Sequence, residues 1–193
     1  MPRCLEGARY YAQWAGAPYH VYGGRKGTND YADDINTRSL MTNWLGGGSP
    51  YMPALQGKKV PIELSLAVHS DAGYNKDGKT TWGSLAICTT NFNDGMLNSG
   101  ISRMTSKDLA KALLKNLVSD LRQQYGEFSE RYLWDRNYSE TRLPEVPAAI
   151  IETLSHQSFP DMKIGQDPMG KFTIARSLYK TILRYVCTNH GLP

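Results

Sequence analysis

Cysteine is scarce in this sequence: Cys4, Cys88 and Cys187 are the only three in 193 residues. An odd, widely spaced set makes no CxxC zinc pattern and a poor disulfide framework. Long apolar runs are missing as well. None approaches the ~18 residues a membrane-spanning helix needs, so no membrane insertion is expected. There is also no block of like charge. Lys and Arg number 22 against 18 Asp and Glu, a net +4, but they are scattered. That distribution gives nucleic acid or an anionic membrane little to hold. No HExxH, GxSxG, GxGxxG or phosphate-binding loop is read in the sequence, which sets aside several common catalytic and nucleotide-binding classes. Internal repeats and low-complexity stretches are absent. Met1-Pro2-Arg3 leads straight into a helical pattern, and no signal peptide is read there.

What is present is a hydrophobic fraction of 40%, with 12 Tyr and 18 Gly. This is enough for a folded core with long, ordered loops. Leu5, Ala8, Ala12 and Ala15 recur at helical spacing and predict a first helix that Gly16 and Pro18 end. Tyr19–Tyr22 reads as a short strand. A helix is predicted over Asp33–Leu45, stopped by Gly46-Gly47-Gly48. Val60–Val68 is the clearest strand, and its continuous apolar end suits a central parallel strand. Trp82–Thr89 is a second strand. Leu109, Leu113, Leu117 and Leu121 stripe a long helix from Thr105 or Ser106 to Gly126. Residues 127–147 read as irregular. Ala148–Leu154 is a short apolar strand carrying one carboxylate, and Ser155–Asp161 a turn. A last helix spans Phe172–Val186, with Ile174, Leu178, Ile182 and Leu183 inward. Strands alternating with helices predict an α/β fold: a single domain with a mostly parallel twisted sheet flanked by helices.

Three polar side chains fall where such a sheet places its ligands, at the C-terminal edges of strands. They are His69, Asp71 and Glu152. Glu6 stands on the first helix. His and Glu are good zinc ligands, and catalytic zinc sites typically keep three protein ligands and one open position. The simpler readings differ in weight. A His after an apolar strand is most often a hydrogen-bonded loop residue, and Glu6 suits the dipole of its helix. A carboxylate within Ala-Ala-Ile-Ile-Glu-Thr-Leu is costly unless it is functional or paired, for instance with Arg136 or Arg142. His156, four residues after Glu152, stands at the mouth of such a site as a substrate contact or proton shuttle. His20 and His190 read as structural or exposed, and the cysteines as core.

Two segments carry a family resemblance. His69-Ser70-Asp71-Ala72 resembles the strand ending in His-x-Asn-Ala of the zinc-dependent N-acetylmuramoyl-L-alanine amidases. Pro147 to His156 resembles their Pro-x-x-Leu-x-Glu-x-x-Phe-x-Ser-Asn segment. The stretch from Ser102-Arg103 to Leu121 and that from Ala175-Arg176 to Tyr185 resemble two of their helices. Glu6, with Ala12 behind it, is similar to the ligand that opens their first long helix. Finer details look like a divergent branch found in large secreted Bacteroidetes proteins. Asp71 departs from the family's more frequent Asn.

The resemblance implies a zinc-exopeptidase-like fold over residues 1–193 as one catalytic domain. It also implies that the family's first strand and its first metal ligand, a His in a Gly-His-Gly-Gly-type loop, are not in this sequence, so that either the chain is a fragment or the site is incomplete. It implies Zn²⁺ held by Glu6 and His69, and Glu152 as the catalytic carboxylate. Arg142, His156 and Asp71 are then candidates for substrate contact. The expected reaction cleaves the amide between muramic acid's lactyl group and the first alanine of the peptide stem, in a secreted or envelope location. Its partner is a peptidoglycan or muropeptide substrate, not nucleic acid. A metallopeptidase acting on other peptides, and a non-catalytic glycan- or peptide-binding pseudo-enzyme, are the alternatives.

Overall fold

The structure is a computed structural model that describes residues 7–192. The chain divides into two compact units. One comprises Met1–Ser65, Thr89–Arg103 and Asn137–Ala148, and the other Leu66–Cys88, Met104–Arg136 and Ala149–Pro193.

In the first unit, helix α1 (Ala8–Trp14) and the single turn α2 (Tyr19–Tyr22) pack on α3 (Asp30–Gly46). Their shared core is Ala12, Ala17 and Val21, against Tyr22, Leu40, Met41 and Trp44. The expected strand at Tyr19–Tyr22 is thus a helical turn. Pro18 leads into it, and Tyr19 meets Tyr22 edge to face at 5.5 Å, the neighbour relation of residues three apart on a helix. Asn29 caps α3 by accepting the Ala32 N–H at 3.0 Å. The buried Asp33 accepts the amides of Arg25 at 2.6 Å and Gly27 at 3.3 Å, which fixes the loop before α3. After the helix, the Lys58 and Val60 amides bond Trp44 O and Leu45 O. Those bonds hold 58–60 against the helix end, so the expected strand starts late, at Ser65. Further along, Arg103 is fully buried. It donates to Met96 O at 3.1 Å and Glu145 Oε1 at 3.4 Å, with its guanidinium over Phe92. Burial pulls its pKa below the usual arginine value and pushes Glu145 above the usual carboxylate range. The single turn α5 (Ser139–Arg142) lies beside them, with Thr141 bonding Thr89 at 2.7 Å.

The second unit is built on a four-stranded sheet of order β1-β4-β2-β3: β1 (Ser65–Asp71), β2 (Ser84–Cys88), β3 (Glu130–Asp135) and β4 (Ala148–Ser155). Bonds from Ser65 N to Pro147 O and from His156 N to Asp71 O run β1 parallel to β4. β2 is parallel to β3 and antiparallel to β4. The α/β class and the helix-flanked sheet are as expected. Two of the three junctions are parallel and the middle one is not. Helix α4 (Met104–Tyr125) buries Leu109, Leu113, Leu117 and Leu121 and packs on β2, β3 and α7 (Pro168–Asn189). Two elements lie where the sequence reads loop or turn. β3 is Glu-Arg-Tyr-Leu-Trp-Asp, and its three-residue apolar run between charged residues is too short to announce a strand. Helix α6 (Phe159–Gln166) opens on Phe159-Pro160, and a proline in the first turn is pre-set for a helix start rather than a breaker. Leu183, expected inward, is 49% exposed.

One side chain ties this unit together at its upper edge. Asp161, in the first turn of α6, is completely buried. Its carboxylate accepts the amides of Trp82 at 2.6 Å, Gly83 at 2.8 Å and Ser155 at 3.1 Å, and the Ser158 hydroxyl at 2.6 Å. Gly83 has φ +87°, and a Cβ there would meet Ser129 O at 2.0 Å, so only glycine brings that amide into place. At the other end of α6, Tyr125 O–H donates to Asp167 Oδ2 at 2.6 Å, and Asp167 Oδ1 caps α7 through the Met169 N–H. Burial, then the Asp167 acceptor, push the Tyr125 phenol up to about 12.

Two outcomes are expected. Asp161→Ala strands buried donors and lowers unfolding free energy by about 3 to 5 kcal/mol in urea titrations. A raised phenol pKa adds stability below the ordinary tyrosine value of about 10, and that stability is lost as pH rises through the folded value. The difference in urea midpoint between parent and Tyr125→Phe therefore closes as pH climbs from about 9 toward about 12.

Candidate functional site

Side chains alternate across a strand, so register decides which of the candidates share a face. β2 sets it: Leu85 is opposite Glu152, and Ile87 is opposite both Ile150 and Trp134. Leu85, Ile87 and Ile150 form one cluster with Ala67 and Trp134. Glu152 is two residues from Ile150, and His69 is two from Ala67. Both therefore stand on this face, near the C-terminal ends of β4 and β1, and both are half-buried. Thr153 Oγ1 donates to His69 O at 3.0 Å, which brings their strands side by side at that level.

Asp71 continues the same edge. Its carboxylate pairs with Arg131 of β3 and accepts the Ala72 N–H at 2.8 Å. The Arg131 guanidinium lies 4.6 Å from the Trp82 ring centroid and 5.2 Å from that of Tyr132. Asp71 is therefore engaged as one half of an ion pair clamped between aromatic rings. Arg131 is the residue the sequence reading misses. Its partner is 60 positions away, and nothing local marks it.

His156 belongs with the other face. Its ring Nδ1 is 3.1 Å from Ser70 Oγ, and Ser70 points away from His69. The two line a cleft of about 500 Å³ with Val68, Leu154, Ile174 and Leu178. Arg142, at the end of α5, donates to Asn137 Oδ1 at 2.8 Å and stacks over Phe92 at 5.7 Å. Glu6 lies outside the described residues. Among those described, no three His, Cys, Asp or Glu side chains gather to hold a metal. His69 and Glu152 are donors of the kind zinc takes, but the described residues do not complete a centre by themselves.

Two further features are excluded as chemistry. Gly73–Thr80 spells Gly-x4-Gly-Lys-Thr, the spacing of a phosphate-binding loop, contrary to the expectation that no such motif is present. That loop needs a helix to follow, and here residues 81–83 run into β2 instead. The amides of Lys79 and Thr80 bond Asp77 Oδ1, and the Thr80 hydroxyl bonds Oδ2. The loop is filled by its own carboxylate, which these bonds hold down at about 2. Cys88 is fully buried on β2, and burial pushes its thiol up to about 12, so it is no nucleophile near neutrality.

No family model matches this chain, and no curated protein does. Solved structures do match. An N-acetylmuramoyl-L-alanine amidase from Clostridium difficile 630 superposes with a TM-score of 0.55 at 16% identity, over 86% of this chain and 77% of that one. The Ami1 N-acetylmuramyl-L-alanine amidase of Mycobacterium smegmatis gives 0.56 at 17% identity, over 83% and 64%. The CwlD amidase of Clostridioides difficile, solved in complex with the GerS lipoprotein, gives 0.56 at 14%, over 82% and 64%. The chain has the fold of N-acetylmuramoyl-L-alanine amidases, as its resemblance implies. It spans less than two thirds of the length of two of these three.

For Cys88, the expected outcome is selective protection. Iodoacetamide at about pH 8 leaves it unmodified in the folded protein and alkylates it only after denaturation, as read by peptide mass spectrometry.

Proposed function

We propose that this chain is an amide hydrolase that cleaves the muramoyl-peptide amide of peptidoglycan, acting outside the cell or at its envelope. The observation that carries this reading is the placement of Glu152 and His69 on one face and one edge of an amidase-type sheet. Glu152 is the proton handler. Half-buried and walled by Leu85, Ile87 and Ile150, its carboxylate takes a proton from the attacking water and passes it to the departing alanine nitrogen as the carbon–nitrogen bond breaks. The apolar wall keeps bulk water from competing for that proton. We further propose zinc as cofactor, with His69 among its donors; when bound it would polarise the scissile carbonyl.

The Asp71–Arg131 pair positions rather than reacts, tying the end of β1 to the start of β3 across the intervening strand ends. His156 and Arg142 already bond Ser70 and Asn137, so substrate contact through either competes with those partners.

Glu152→Gln keeps the shape of the side chain and removes its base. Release of alanine amino groups from purified sacculi is expected to fall by about 10²- to 10⁴-fold, while metal content by elemental analysis stays at the parent's level. His69→Ala is expected to lose the metal. Equal hydrolysis by parent and Glu152→Gln refutes the role of Glu152.

A further inference from the structure

We propose that β3 is the substrate wall of this site, with Tyr132 and Trp134 taking the sugar face of a muropeptide and Arg136 taking a carboxylate of its peptide. This deepens the hydrolase reading and rests on it. Three observations on β3 carry the inference.

The first is register. Residues 134 and 136 are two apart and share one face of an extended strand; β3 carries an extra residue between Glu130 and Leu133, and Tyr132 is placed on the same side by its ring contact with Trp134. The pairing extends past the strand's last residue, because Arg136 N bonds Cys88 O at 2.9 Å. Trp134 is opposite Ile87, and its inner side packs on the cluster of Leu85, Ile87 and Ile150. That cluster lies on the Glu152 face. The wall and the carboxylate are thus separated across the sheet by two strand spacings, about 10 Å.

The second is the state of the rings. Tyr132 is 46% exposed, in the stretch of β3 where the pairing with β2 shifts register. It meets Trp134 edge to face, with centroids 5.7 Å apart and planes at 87°. The pair is held rigid by its neighbours instead of being consumed by the core. Arg131 backs Tyr132 at 5.2 Å and is itself anchored by Asp71. Rigid, half-wet aromatic rings present a flat apolar surface at low entropy cost, and the C–H face of a sugar ring complements it.

The third is charge. Arg136 is exposed and lies over Trp134, 5.3 Å from the ring centroid. Stacking fixes the plane of a guanidinium and aims its N–H groups at a planar acceptor, which suits a carboxylate. An amino sugar linked to an acidic peptide matches the order of these groups along the strand.

The test is binding of N-acetylmuramoyl-L-alanyl-D-isoglutamine and of chitotriose by calorimetry, with hydrolysis of the first followed on the same preparations. Circular dichroism melts confirm that the variants fold. Tyr132→Ala is expected to weaken both ligands at least about tenfold. Arg136→Gln is expected to weaken the muramyl dipeptide about tenfold and leave chitotriose unchanged. A parent that binds neither ligand, or folded variants that bind both as the parent does, overturns the wall. Binding that follows this pattern without any hydrolysis keeps the wall and sinks the catalytic reading. Hydrolysis whose KM neither substitution moves keeps the catalytic reading and sinks the wall.

Discussion

The buried carboxylate of Asp161 is the constraint on which the sheet-bearing unit depends. Four donors converge on it from three places: the run into β2, the last residue of β4, and the turn before α6. Each of these segments would otherwise carry a buried N–H or O–H without an acceptor, at a cost of about 1 to 3 kcal/mol apiece. A charge so deeply buried is tolerable because all its bonds are made at once and because it sits at the positive end of α6. The result is an upper edge where β4 ends and β2 begins at a fixed separation. That fixed separation is what sets Leu85 opposite Glu152.

The neighbouring constraint is ionic. Arg131 crosses from β3 to Asp71 at the end of β1, with Trp82 and Tyr132 on its guanidinium. Together the two carboxylates, Asp161 and Asp71, lock all four strands at the same edge. Division of labour between the two faces then follows from alternation alone. One face holds Glu152, His69, Trp134 and the apolar cluster. The other holds Val68, Ser70 and Thr153 against α6 and α7, with His156 above them.

How much of this was legible in the sequence depended on whether the deciding forces are local. β4 and α4 were plain because an apolar run and a leucine stripe are written in consecutive residues. β2 and α3 were nearly as clear. β3 was hidden, since its residues are chosen for a half-wet edge strand and read as polar loop. α6 was hidden by a proline that starts a helix where it usually stops one. The candidate site was legible where it coincides with strand ends, at His69 and Glu152. It was opaque at Asp161 and Arg131, whose reach to Trp82, Gly83 and Asp71 spans roughly 60 to 80 residues and is made only by folding. The grouping of His156 with Glu152 was a sequence-distance argument, and strand exit geometry sends that ring to Ser70 instead.

The antiparallel junction between β4 and β2 has a consequence for how this edge can change over evolutionary time. In an all-parallel sheet every connection must cross from one edge to the other. Here β1 and β4 leave the edge that β2 and β3 enter. The segment 72–83 therefore joins an exit to an entrance without traversing the sheet. It is braced near its ends, by Gln157 and Ser155 on Gly73 and by Ser129 and Asp161 on Thr81, Trp82 and Gly83. Residues between those braces can lengthen, shorten or change composition without moving a core side chain. The segment can thus drift in sequence while the strands it joins stay put.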